Sequence, residues 1–213
     1  ALEWGDTLPG AELRQLVVLN VLDVWLASAP GKARDYVARM PAGKAQNEAA
    51  THLAESVAAR DVPAAVAWLR GLTNTAARRA ASAGVASGWA RQDAPAATRW
   101  AIALGDDAAR PDAVDAALSY WVLADAPAAV SYVRTLKGGD ARDDGLDALS
   151  SLLGTTQPDL AVALAADIEN PHLRNNALAD AYAAWQARDP AAARRWLDAV
   201  DLPASARRRL QGD

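Results

Sequence analysis

Apolar, small and aromatic positions recur along this chain with a period of 32 residues and without insertion. From Ala1 every thirty-second residue is alanine, through Ala33, Ala65, Ala97, Ala129, Ala161 and Ala193. Three positions on, the column reads Trp4, Tyr36, Trp68, Trp100, Tyr132, Leu164 and Trp196. Four beyond that it reads Leu8, Met40, Leu72, Leu104, Leu136, Ile168 and Val200. A second aromatic column holds Trp25, Val57, Trp89, Trp121, Leu153 and Trp185, and all eight tryptophans fall in the two aromatic columns.

The spacing within one unit predicts its elements. Arg78, Ser82, Val85 and Trp89 stand at i, i+4, i+7 and i+11, one face of a first helix. Ala97, Trp100 and Leu104 stand at i, i+3 and i+7, one face of a second. Between the helices lies Asp93-Ala94-Pro95, repeated as Asp61-Val62-Pro63, Asp125-Ala126-Pro127 and, shortened, Asp189-Pro190. Aspartate before proline opens a helix: the carboxylate accepts from free backbone N–H groups, and proline has none to satisfy. The joins between units, "MPAGK", "GDD", "KGGD" and "ENP", are turn-rich.

No single hairpin of this kind can bury its apolar face, whereas stacked neighbours make a continuous core. The expected fold is all-α: a right-handed α-solenoid of about six and a half 32-residue helical hairpins, with residues 1–213 forming one domain. The alanine column lets helices approach closely, and the aromatic columns are expected to fill the space between hairpins. Ala1 enters midway through a second helix. The closing "RRRLQGD" stops within a first helix, with Arg207 one residue out of the arginine column. Neither end carries a polar capping repeat, so the expectation is a piece of a longer array.

Composition narrows the classes. Hydrophobic residues at 52% and charged residues at 23% mark a folded chain rather than a disordered one. The alanine richness favours helix. A net charge of −4 argues against a protein that coats nucleic acid. The absence of cysteine excludes disulfides, thiolate metal sites and cysteine nucleophiles. The most apolar segment, "LRQLVVLNVLDVWLA", carries Arg14, Asn20 and Asp23 and reads as a buried helix, not a membrane span.

An arginine column, Arg14, Gln46, Arg78, Arg110, Arg142 and Arg174, opens the first helices. With the Asp-Pro junctions and the closing leucines, it makes the unit resemble HEAT-like repeats of the short, phycobilisome-lyase type, over the whole chain. The first helix here is about a turn longer than in that type. Tetratricopeptide repeats are a second resemblance, although their tryptophan begins the unit and their proline ends it. The layout is also similar to alanine-rich helical repeats of GC-rich bacteria, which implies a bacterial cytoplasm or periplasm without choosing between them. The HEAT-like and tetratricopeptide resemblances imply protein binding, by analogy of fold alone.

Chemistry-bearing residues are sparse. His52 and His172 lie in different units, and only Glu48 stands at helical spacing from His52. Phosphate-cradling glycine loops and the Gly-x-Ser-x-Gly elbow are absent. "GGDARDDGLD" places Asp140, Asp143, Asp144 and Asp147 at the wrong spacing for a calcium loop and reads as an acidic helix start. The arginine column would either clamp an acidic peptide or find structural partners, for which Asp61, Asp93, Asp125 and Asp189 are candidates; its place on the apolar face favours the structural role. The tryptophans at helical spacing read as core rather than as a stacking platform. These residues supply no catalytic, metal or cofactor site.

One charge asymmetry remains. Apart from the cap aspartates, the early second helices carry Lys32, Arg34, Arg39, Arg70, Arg99, Arg134 and Lys137 against Asp35 and Asp106. The first helices carry Glu48, Glu55, Asp112, Asp115, Asp143, Asp144, Asp147 and Asp180. In HEAT-like arrays second helices line the concave face, which implies a basic groove and an acidic outer wall. Arg39, Arg70, Arg99 and Arg134 are therefore the candidate partner-binding residues, for a protein or peptide and for an acidic one in particular. The functional expectation is a non-enzymatic scaffold or interaction module binding along that groove. A HEAT-like DNA glycosylase and an accessory superhelical domain of a larger cell-wall enzyme are the alternatives. Two units depart from the pattern, around Gln46 and Val57 and around Leu153, Gln157 and Leu164; a pocket for a small apolar ligand fits where the rings are missing.

Overall fold

A computed structural model describes residues 10–105 and 108–200, together with Leu202, Arg207 and Leu210. Ala1, Trp4, Leu8, Asp106 and most of the closing "RRRLQGD" lie outside the described residues. Among those described, the chain forms ten helices and no strand. They are α1 (Ala11–Ser28), α2 (Pro30–Arg39), α3 (Lys44–Ala58), α4 (Val62–Leu69), α5 (Thr75–Ile102), α6 (Arg110–Thr135), α7 (Asp140–Leu153), α8 (Pro158–Ala166), α9 (Pro171–Arg188) and α10 (Pro190–Ala199). No helix among the described residues is long and apolar enough to cross a membrane.

The two longest helices are each two helices in succession. α5 breaks at Asp93 (φ −148°, ψ 84°) and α6 at Asp125 (φ −158°, ψ 83°). Asp61 (φ −150°, ψ 89°) and Asp189 (φ −141°, ψ 83°) hold the same extended geometry at the α3–α4 and α9–α10 junctions. At all four the carboxylate Oδ1 accepts from the N–H three residues on: Ala64, Ala96, Ala128 and Ala192, at 2.9–3.0 Å. The predicted aspartate caps are thus formed. The remaining junctions, at Ala29 and Gln157, break similarly (φ −154° and −136°) without a side-chain cap. There proline follows at once, as Pro30 and Pro158, and removes one orphan donor. Six hairpins result among the described residues.

The chain divides into two compact units, Ala1–Tyr120 and Trp121–Asp213. In the first, α1 packs on α3 and α3 on the first half of α5, while α2 and α4 lie against the helices that follow them. Leu22, Val37, Leu53, Leu69 and Val85 fill the core. In the second, α7, α8, α9 and α10 pack in the same succession around Leu146, Leu149, Leu164, Ile168 and Leu178. The described members of the alanine column, from Ala33 to Ala193, are 0% exposed.

The aromatic columns meet inside the hairpins. Trp25 pairs with Tyr36 (ring centroids 5.7 Å), Trp89 with Trp100 (6.1 Å), Trp121 with Tyr132 (5.3 Å) and Trp185 with Trp196 (6.2 Å). The sequence expectation placed these rings between hairpins. The extended junction residue instead folds the first turn of each second helix back over the last turn of its own first helix, so positions 11 apart come face to face. Val57 and Leu153 leave their hairpins without such a pair.

One close helix contact lies outside the columns. A Cβ on Gly84 or Gly88 would run into the backbone oxygens of Thr51 or Glu55, and would come within 3.0 Å of Ala54 Cβ or Ala58 Cβ. Thr51 Oγ1 donates across the same contact to Ala80 O at 3.1 Å. Helices α3 and α5 therefore touch backbone to backbone. Glycine inside a helix ordinarily costs about 0.5–1 kcal/mol relative to alanine, and here that ordering inverts. Gly84→Ala is expected to lower stability by about 1–3 kcal/mol. Gly31→Ala on α2, where a Cβ meets nothing within 4 Å, should raise it by about 0.4–1 kcal/mol. Urea unfolding of the two variants beside the parent checks both signs.

Candidate partner-binding face

Arg39 ends α2, Arg70 follows α4, and Arg99 and Arg134 stand in the last turns of α5 and α6. Arg70 and Arg134 occupy the same place in the repeat; Arg99 stands three positions earlier in register and Arg39 one later. Such positions share one helix face. It lies opposite the buried residues Ala65, Leu69, Ala97, Ala101, Ala129 and Val133, and all four guanidinium side chains are exposed. The result is a series, one arginine on each of four second helices, rather than a cluster on one element. Arg39, Arg70 and Arg99 belong to the first compact unit, Arg134 to the second. Among the described residues the first three make no ion pair, while Arg134 Nη2 lies 3.7 Å from Asp167 Oδ2. A surface contact of that length contributes little.

Three members of the arginine column, Arg78, Arg142 and Arg174, reach backbone carbonyls. Arg78 Nη1 donates to Leu72 O (3.3 Å) and Arg174 Nη1 to Ile168 O (3.1 Å), closing the end of the preceding second helix. Arg142 reaches Asp167 O at 3.0 Å, and Arg207, one residue out of register, still reaches Leu197 O (2.7 Å) and Val200 O (2.6 Å). Gln46, 2% exposed, does the same to Val37 O at 3.0 Å, and its Oε1 accepts from Asn74 Nδ2 at 2.8 Å. Asn74 in turn caps α5 through Ala76 N and Ala77 N.

The acidic helix start at "GGDARDDGLD" hides a brace. Asp143 is 2% exposed, and its two oxygens accept from the N–H groups of Glu169 and Asn170, each at 2.8 Å. Asn170 then caps α9. Among the described residues no group of three or more His, Cys, Asp or Glu is arranged to hold a metal ion. Sequence reasoning missed Asn74 and Asn170 as caps. They stand three periods apart, each just ahead of a first helix, and that was the available signal.

Acidic charges of the first helices are partly consumed between neighbouring first helices. Arg79 grips Asp112 with both ends of its fork (Nε–Oδ2 2.5 Å, Nη2–Oδ1 2.8 Å). Arg91 pairs with Glu55 and donates to Tyr120 Oη at 3.1 Å. His52 Nε2 lies 2.7 Å from Asp23 Oδ1. The carboxylate of Asp112 pushes the Arg79 guanidinium above its ordinary range. Partial desolvation, and then the Asp112 charge, push the Asp115 carboxyl up. His172 is exposed and stands apart from this set.

Cavities lined by described residues open on the helices of each unit. One of about 280 Å³ in the first unit is lined by Leu26, Arg34, Val57, Arg60 and Ala64 among others. One of about 520 Å³ in the second is lined by Pro127, Val130, Arg134, Gln157 and Leu160. A polar one of about 300 Å³ lies between α7 and α9, beside Asp147, Ser151, Thr155 and Asp180. Compared with protein families, with curated proteins and with solved structures, the chain matches none. The chemistry of the face therefore rests on its own side chains: in the first unit the exposed Arg39, Arg70 and Arg99 with Lys32 and Asp35, and in the second the exposed Arg134 and Lys137.

Asp115 generates a pH-dependent expectation. Its folded pKa is raised above the ordinary 3.8, so the folded state holds the proton longer than the unfolded chain. Stability is then lost as pH rises through the folded value. Asp115→Asn should be more stable than the parent at pH 7, with the advantage vanishing below the ordinary carboxylate range; thermal melts across pH read the difference.

Proposed function

We propose that the chain is a non-enzymatic interaction module, built as an α-solenoid, whose second-helix face takes an extended acidic segment of a partner protein. One observation carries this reading. Arg39, Arg70 and Arg99 are exposed on one face of successive second helices and make no ion pair among the described residues, whereas the column arginines and the first-helix cations Arg79 and Arg91 are already engaged. Six tryptophans are taken up in ring pairs and Trp68 is buried, which speaks against a glycosylase-like groove that stacks bases.

The geometry of packed helices suggests the ligand's period. Neighbouring helices lie about 8–10 Å apart, and an extended chain advances about 3.3 Å per residue. An acidic residue at every third position would then meet one arginine per hairpin. Such contacts are salt-sensitive and act mainly on encounter and register.

The test is fluorescence anisotropy with a labelled peptide bearing glutamate at every third position, beside its lysine counterpart. The parent should bind the acidic peptide, more weakly as salt rises, and ignore the basic one. Arg39→Glu/Arg70→Glu/Arg99→Glu/Arg134→Glu should lose at least about tenfold in affinity with unchanged helical circular dichroism. Equal binding by parent and variant, or none by the parent, would overturn the reading.

A further inference from the structure

We propose that the 280 Å³ cavity beside Val57 is a binding site for a small monocarboxylate with an apolar tail. The cavity sits where α1 and α2 of one hairpin meet α3 and α4 of the next. Leu26, Pro30, Val57 and Ala64 supply apolar surface; Arg34 and Arg60 supply the charge. Val57 stands where four other hairpins carry tryptophan, so this hairpin lacks the ring that its neighbours use.

The charges of the lining favour one anionic group. Asp61 also lines the cavity, but its Oδ1 already accepts the cap bond from Ala64 N. Among the described residues the Arg34 and Arg60 side chains make neither hydrogen bond nor ion pair. Two guanidinium groups against one committed carboxylate leave a net single positive charge. Arg60 is the more telling of the two. At its register Gln92 donates to Ala59 O (3.0 Å) and Arg188 to Thr155 O, each closing the preceding first helix. Arg60 makes no such bond and lines the cavity instead.

The site recurs. Pro30, Arg34, Asp61 and Ala64 correspond, three periods on, to Ala126, Val130, Gln157 and Leu160, and these line the 520 Å³ cavity of the second unit. That cavity too adjoins a hairpin without a ring pair, the one with Leu153 and Leu164. There Val130 replaces Arg34, and the one arginine, Arg134, already faces Asp167. The first cavity is the one equipped for an anion. Its volume suits an acid of about ten non-hydrogen atoms, and a guanidinium fork matches a carboxylate in plane and spacing. This site is independent of the proposed acidic-peptide face, since neither Arg34 nor Arg60 is among the four arginines assigned there.

The probe is 3-phenylpropionate, followed by amide chemical shifts in the full chain, with 3-phenylpropanamide as its uncharged counterpart. Saturable shifts from the acid should centre on Leu26, Ser56, Val57 and Ala64, with the amide binding at least about tenfold more weakly. Arg34→Gln/Arg60→Gln should erase the difference between acid and amide. Ala64→Trp, at a half-exposed position where the equivalent residue is Leu160, should block both probes while leaving the fold's spectrum intact. The proposal is overturned if the acid produces no shifts there up to about 10 mM, if acid and amide bind the parent equally, or if folded Ala64→Trp binds as the parent does.

Discussion

Helices of eight to eighteen residues leave much of their backbone at their ends, and each end exposes four N–H or four C=O groups that the helix cannot satisfy. Here those ends dictate where the polar side chains go. Aspartate closes the start of four second helices, at about 1 kcal/mol per cap. Arg78 and Arg174, and Gln46 in the same column, reach back to carbonyls at the ends of the helices before them. The backbone turns similarly at Ala29 and Gln157 without a cap. Packing and proline therefore make the break, and the aspartate stabilises it.

This use of charge sorts the arginines. A guanidinium that donates to the carbonyls closing the preceding helix has those N–H groups committed. A guanidinium on the outer surface of a second helix has no such duty. The same residue type, separated by a few positions in a 32-residue unit, is in one case part of the frame and in the other the frame's free surface. The first-helix surface is different again: Arg79, Arg91 and His52 tie neighbouring helices together through Asp112, Glu55 and Asp23. Each is an exposed pair and modest by itself.

The repeat columns made the helices, the aspartate caps and the buried alanines legible. Each is a local event, with cause and effect a few residues apart. The acceptor of the arginine column was not legible, because backbone carbonyls leave no mark in a sequence. The aromatic columns were read at the right positions, but their pairing depended on the junction's extended φ and ψ, which fold residue 25 over residue 36. Gly84 and Gly88 were missed because they belong to one hairpin and break no column. The charge asymmetry picked out the candidate arginines and the missing rings marked where a pocket could lie, while the lining of that pocket by Arg34 and Arg60 depends on how two neighbouring hairpins meet.

Departures from the repeat carry information of their own. Where a ring pair is lost, neighbouring helices must close the gap or leave space, because side chains in a packed interior have few alternatives. At Val57 and at Leu153 cavities lie alongside, and the two share a register. Sequence drift alone accounts for a missing tryptophan. It does not account for Arg34 and Arg60, two guanidinium groups that share the cavity's lining with one carboxylate, Asp61, and make no ion pair among the described residues. The lining carries one positive charge more than Asp61 offsets, and an anion in that cavity would supply the missing charge.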